Sequence, residues 1–291
     1  MLKIVDTHVH LFDLTHKDLL WSWLAPGAEE GRLGNIDGIK SLRYEAENLI
    51  AESRFAAVDK FVHIQAAIGS KDPVIETKWL SQMFARTSLP AAIVGHVDLT
   101  LESAQKVIDQ HLQFANFRGV RDFAVEGALS SGDINKELNL ALSYLAENNL
   151  VLDLDCQWPN MTLAAAMARK HPQLKIVIEH IGIPTSTTDG YFANWKIGMQ
   201  ALANEPNIFC KISGVGMMDP KFTLSSIRPW IEHCVSIFGP ERCMIGSNWP
   251  LDRLFSSYDA VFNIYREIIS QYSVEEQIAI SSATANSFYR I

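Results

Sequence analysis

LVLDLDCQWPNMTLAAAMARKHPQLKIVIEH (150–180) reads as a strand, a helix and a second strand in one unbroken stretch. Its outer segments, 150–156 and 175–180, are short and nearly continuously apolar, as strands buried on both faces must be. The alanine-rich 161–171 between them suits a crossover helix. The same alternation runs through the chain. Strands are expected at 3–8, 60–66, 91–99, 117–123, 208–213 and 243–248, and helices at 45–55, 73–87, 102–113, 134–148, 194–204, 222–238 and 257–272. ELNLALSYLAENN (137–149) carries the i, i+3, i+4 spacing of a helix laid on a sheet. Eight strands, each followed by a helix, predict a single closed (β/α)8 TIM barrel over 1–291, α/β in class. No GxGxxG follows the first strand, which weighs against an open doubly wound sheet. The segment 274–291 reads as an extra C-terminal helix. The long first connection, 11–44, holds Trp21, Trp23 and Pro26 and has the irregularity of a functional loop or lid.

Composition narrows the possible partners. Hydrophobic residues make up 48% and charged residues 20%, enough apolar material for a large core. A net charge of −8, with no basic patch, argues against nucleic acid or an anionic membrane and leaves a small-molecule partner. An anionic small molecule stays open, because a local arginine pair can hold it. Cys156, Cys210, Cys234 and Cys243 are scattered without a CxxC, so they read as reduced structural thiols. No secretory signal and no apolar run near the roughly 20 residues of a membrane span is apparent, so a soluble, cytoplasmic monomer or homodimer is expected.

Barrel enzymes place their chemistry at the C-terminal ends of the strands. Those ends carry His8 and His10, His63 and Gln65, His96 and Asp98, then Arg118, Arg121 and Asp122. Asp153, Asp155 and Gln157 follow, then Glu179 and His180, Lys211 and Ser213, and Ser247 and Asn248. Polar groups gathered in a barrel need partners, and a site supplies them. His63 and His96 read more readily as structural residues, Arg118 as half of a structural pair, and Asp6 as a brace for the first loop. Arg121, nearer the strand end, suits an anionic substrate. Trp158 and Trp249 follow strand ends and are expected to wall the pocket that Trp21 and Trp23 cover.

Several of these stretches resemble the amidohydrolase-related family of the amidohydrolase superfamily. They are VDTHVH (5–10), EHIGIP (179–184), CKISG (210–214), RCMIGSNWP (242–250) and the ending TANSFYRI (284–291). In order and at barrel spacing they lie closest to the sugar-lactone and pyrone-dicarboxylate lactonase branch. The resemblance implies a hydrolase that opens a small anionic lactone with activated water. His8 and His10 match metal ligands of the wider superfamily, and His180 a ligand or a carbonyl-polarising group, a set that could hold one divalent ion such as zinc. Members of the lactonase branch also work without metal, and a metal-independent site is the expectation preferred here, because strand five lacks the histidine of the metal-rich members and Asn248 is a poor ligand for a divalent ion. Arg121 would clamp a carboxylate, with Gln65, Lys211 and Asn248 supplying hydrogen bonds.

The chain departs from the pattern where the family's SDWP is SNWP, so an amide, Asn248, stands at the general-base position. A neutral amide does not accept a proton at physiological pH. Three readings follow. Another carboxylate takes over, Asp252 first and Asp155 second; or Asn248 only orients substrate, with histidine as base in an isomerisation or hydrolysis; or the pocket binds a ligand without turnover. A non-oxidative, metal-dependent decarboxylase of the same superfamily is the alternative enzyme class.

Overall fold

A computed structural model describes residues 2–25 and 34–291; Pro26 lies outside the described residues. The eight expected strands all form: β1 (Ile4–Val9), β4 (Val58–Ile64), β5 (Ala92–His96), β6 (Phe117–Arg121), β7 (Val151–Leu154), β8 (Ile176–Ile178), β9 (Ile208–Ile212) and β10 (Cys243–Ile245). They lie parallel in sequence order, one sheet of eight, as a (β/α)8 barrel requires. β2 (Phe12–Asp13) and β3 (Arg43–Tyr44) pair antiparallel and tie together the two ends of the long first connection.

Closure between β1 and β10 is made by a few specific bonds rather than a full ladder. The Thr7 hydroxyl donates to the Ile245 carbonyl at 2.8 Å, and the His10 amide donates to the Trp249 carbonyl at 2.7 Å. The seam is tight at Gly246. A Cβ there would lie 3.0 Å from both the amide nitrogen and the Cβ of His8. Asp6 stitches the same seam, accepting from the Ser247 amide at 2.8 Å and from the Tyr258 hydroxyl at 2.8 Å. It braces the loop after the eighth barrel strand rather than the first loop.

Helices lie close to their expected places, for example Met161–Lys170 and Leu224–Phe238. Two differ. Phe123–Ser131 is a helix that the sequence reading did not contain, started by Asp122, whose carboxylate caps the Ala124 amide at 2.9 Å. The helix at 194–204 begins earlier, at Asp189. No helix of the described residues is long and apolar enough to cross a membrane.

The core has two parts. One lies between the strands and the surrounding helices; the other fills the barrel itself with Val5, Val62, Ile64, Val94, Val151, Val177 and Met244. The last helix, Thr284–Tyr289, completes the inner core by inserting Phe288 and Tyr289, both nearly fully buried. Phe288 packs on Phe209, at the start of β9, so the helix plugs the N-terminal mouth of the barrel and leaves the C-terminal mouth for a site.

Candidate active site

A cavity of about 190 Å³ opens at the C-terminal ends of the strands. Its polar lining comes from His10, Arg121, Asp155, His180 and Asn248, and Trp23, Ile68, Phe123, Ile183, Met217 and Leu251 form most of the remainder. Five of the strand-end groups therefore meet in one space.

The two histidines of the first strand fix each other's protonation. His10 Nδ1 lies 2.9 Å from the Ile64 carbonyl, which can only accept, so Nδ1 carries the proton and Nε2 a lone pair. His8 Nε2 lies 3.0 Å from that lone pair and donates to it. The remaining nitrogen, His8 Nδ1, then also holds a lone pair, and it faces Glu179 Oε1 at 3.6 Å with no hydrogen bond to either atom. Burial, reinforced by the nearby His180, Lys211, His10 and Arg121, holds His8 well below the usual histidine range. Burial with Arg121 and His63 does the same to His10. Burial raises Glu179, but Arg121 and Lys211 outweigh it and leave the carboxyl below its ordinary value. A neutral imidazole and a carboxylate thus point lone pairs at each other in the buried interior.

His180 sits on a turn of unusual hand. His180, Ile181 and Ile183 have φ of 51°, 49° and 45°, the left-handed region that costs a non-glycine residue about 1–2 kcal/mol. The surroundings enforce it. The Trp195 indole N–H donates to the Ile181 carbonyl at 2.8 Å, and Ser213 Oγ lies 2.7 Å from His180 Nδ1. Gly214 leaves room for the imidazole, since a Cβ there would sit 2.5 Å from His180 Nδ1. The CKISG stretch is therefore a cradle for the histidine of EHIGIP.

Arg121 lines the cavity with its guanidinium held from behind. Nη1 donates to Glu179 Oε2 at 3.2 Å and Nε to Gln65 Oε1 at 3.2 Å, while Nη2 donates to the Gln65 carbonyl. Three of five N–H groups are used, so the fork keeps donors for a ligand. Gln65 thus acts on Arg121 and is not part of the lining.

Several expected placements need correction. Lys211 is fully buried and pairs with Asp153 beneath the cavity instead of reaching it. Trp21 packs edge-on against Trp79, away from the cavity, and Trp23 takes the wall with its N–H on the Ala66 carbonyl at 2.8 Å. Trp158 packs against Tyr191. Trp249 turns outward to Glu52, which also accepts from Tyr44 at 2.8 Å. For Trp158 and Trp249 a position just past a strand end gave the neighbourhood, but the backbone direction put the ring on the other side. His63 is structural: it accepts from the Leu11 amide and contacts Glu76 at 3.1 Å.

Asp252 stands behind Asn248. Asn248 Nδ2 donates to Asp252 Oδ1 at 2.8 Å, which orients the amide and leaves Asn248 Oδ1 without a partner. Asp252 is fully buried and absent from the lining, whereas Asp155 is part of it. Asp252 thus positions Asn248, and Asp155 is the carboxylate that meets the cavity. Glu179, one residue before His180, was visible only as one more polar strand end; its contacts with both His8 and Arg121 arise only where β1 and β6 converge on the end of β8 in the closed barrel.

The donor set suits a divalent ion. Among the described residues, His8, Glu179 and His180 bring ligand atoms within 4.8 Å of one another, with His10 adjoining His8. The facing lone pairs of His8 Nδ1 and Glu179 Oε1 are what a cation would satisfy, and imidazole with carboxylate is zinc chemistry.

A (β/α)8 barrel with histidines, an arginine and a carboxylate at its C-terminal mouth defines a barrel enzyme of the hydrolase kind. The amidohydrolase family model matches residues 5–291, and the chain belongs to that family as a hydrolase. It is 34% identical to an uncharacterized protein of Sinorhizobium fredii, across 100% of this chain and 99% of that one. It is 27% identical to an L-fucono-1,5-lactonase of Burkholderia ambifaria, across 99% and 95%. An amidohydrolase structure from Burkholderia multivorans with bound zinc superposes with a TM-score of 0.83 at 23% identity, covering 99% of both chains, and shares the fold.

Proposed function

We propose that the protein opens a small anionic lactone by attack of water. The observation that carries the reading is the convergence of Arg121, His180, Asp155 and Asn248 on one cavity of about 190 Å³. Relatives named as lactonases support the reaction class. Arg121 holds the substrate carboxylate through its uncommitted N–H groups, a geometry a guanidinium fork favours. His180, held by Ser213, polarises the lactone carbonyl. Asn248 Oδ1 accepts one hydrogen of the water without removing it, and Asp155 takes the other as a proton. The water oxygen bonds to the carbonyl carbon, the ring C–O bond breaks, and Asp155 returns the proton to the leaving oxygen, giving the hydroxy acid. A divalent ion held by His8, Glu179 and His180 would take over the polarisation of the carbonyl as a Lewis acid, with His180 then acting as its ligand.

Asp155→Asn tests this with a panel of lactones followed by a pH indicator. Turnover should fall by about 10²–10⁴-fold with KM little changed. Undiminished turnover would remove Asp155 as the base. Release of carbon dioxide from aromatic carboxylates, with no lactone opened, would move the assignment to decarboxylation.

A further inference from the structure

Among the described residues, the cavity has little to offer a polyol. Each polar group on its wall already has a task in the proposed reaction: Arg121 on a carboxylate, His10 against His8, His180 on the carbonyl, and Asp155 and Asn248 on water. The rest of the described wall is carbon and sulfur, from Trp23, Ile68, Phe123, Ile183, Met217 and Leu251. The one polar atom among those side chains, the Trp23 indole nitrogen, spends its hydrogen on the Ala66 carbonyl at 2.8 Å. Ring hydroxyls placed against this wall would lose water and find no partner.

Size and shape agree. A cavity of about 190 Å³ is a little larger than the roughly 150 Å³ that accommodates benzene, so it has room for one six-membered ring with a short substituent. Phe123 lies under the Arg121 guanidinium, with Cζ 4.8 Å from the ring centroid, so one face of the arginine is already covered by an aromatic platform. What remains is an in-plane donor edge beside a flat apolar surface, and Met217 can adjust to the outline of a hydrocarbon body.

We propose that the substrate is a lactone with an apolar body, alkyl or aromatic, carrying one carboxylate, and not a polyhydroxylated sugar lactone. This rests on the lactonase reading and narrows it. The wall, not the catalytic groups, sets the preference, so the protein differs in substrate class from relatives named for sugar lactones.

The test compares three 1,5-lactones of equal ring size that all carry one carboxylate: glucaro-1,5-lactone, 6-carboxy-δ-valerolactone, and its analogue bearing a short alkyl chain. The alkyl lactone should exceed the sugar lactone in kcat/KM by on the order of 100-fold, the discrimination an apolar pocket achieves against added hydroxyls. Met217→Gln, which keeps the length of the side chain and adds an amide, should narrow that ratio by about tenfold. A sugar lactone opened as well as or better than the alkyl one would overturn the substrate class and leave the lactonase reading intact. Conversely, the δ-lactams of the alkyl and sugar compounds can be compared by thermal shift. Stabilisation by the alkyl lactam alone, with no lactone hydrolysed, would support the apolar pocket and overturn the lactonase reading. An unchanged ratio in Met217→Gln would remove the wall as its cause.

Discussion

Tyr289, on the helix that plugs the barrel, donates its hydroxyl to Asp153, 2.9 Å from Oδ2 and 3.1 Å from Oδ1. Asp153 also pairs with Lys211, and above it Glu179 pairs with Arg121 at 3.2 Å. Opposite charges thus alternate up the barrel, two anions against two cations, and the cavity rests on that stack. Tyr289→Phe should cost about 1–2 kcal/mol by leaving a buried carboxylate short of a donor. Tyr289→Ala should cost about 3–5 kcal/mol by adding a void. Urea midpoints of the two variants check the order and the size.

The cradle around His180 gives a second prediction. Ser213→Ala removes the partner of His180 Nδ1 and should lower kcat by about 10–100-fold while the protein melts normally. Gly214→Ala is a harsher change, because the added Cβ meets the imidazole and the residue has φ of 59°. It should lose activity beyond detection and also lower Tm. Equal kcat in Ser213→Ala and the parent protein would mean that the hydroxyl does not orient the ring.

The paired lone electrons of His8 and Glu179 predict an effect of metal on stability that needs no assay. Zinc added to chelator-treated protein should raise Tm, by a free energy of about 2.7 kcal/mol at 100 times Kd. His8→Ala should abolish the rise. A Tm indifferent to zinc in the parent protein would leave the histidines to act on substrate alone.

The barrel was legible because burial on both faces writes itself as short apolar runs, and all eight were found at nearly their true ends. The strand-end rule likewise picked out His10, Arg121, His180 and Asn248, because a parallel barrel sends every such residue toward one mouth. What the sequence did not carry was direction beyond the last strand residue. Trp249 and Trp158 lie just past β10 and β7, where the chain turns, and both rings point away from the cavity. Trp21 and Trp23 differ only by two positions in an irregular loop, with no periodicity to rank them. Lys211, expected to bond a substrate, lies one layer deeper on Asp153, since depth along a barrel is set by packing, here against Tyr289, and has no period.

Asn248→Asp is the change that restores the pattern of the family, and the structure predicts a cost. The new carboxylate would lie within hydrogen-bond distance of Asp252, and two buried acids that close share one proton. The variant should be less stable than the parent above neutral pH, and Asn248→Asp combined with Asp252→Asn should recover it. Thermal melts at pH 6 and 8 read this out directly.

Asp252 alone predicts a pH dependence with a definite sign. Burial pushes its carboxyl from the ordinary 3.8 up to about 7, against the hydrogen bond from Asn248. Between those values the folded protein keeps a proton that the unfolded chain has released, so stability must fall as pH rises. The contribution is complete below about pH 4 and gone above about pH 7. From pH 5 to 8 the loss is on the order of 3 kcal/mol, about 1.4 for each unit below 7. Asp252→Asn keeps an acceptor for Asn248 and carries no titrating group, so its stability should lack this slope. Relative to the parent it should gain with rising pH, reaching its full advantage near pH 8. Urea denaturation at pH 5, 6, 7 and 8 measures the difference, and parallel curves for the two proteins would show that Asp252 is ionised throughout.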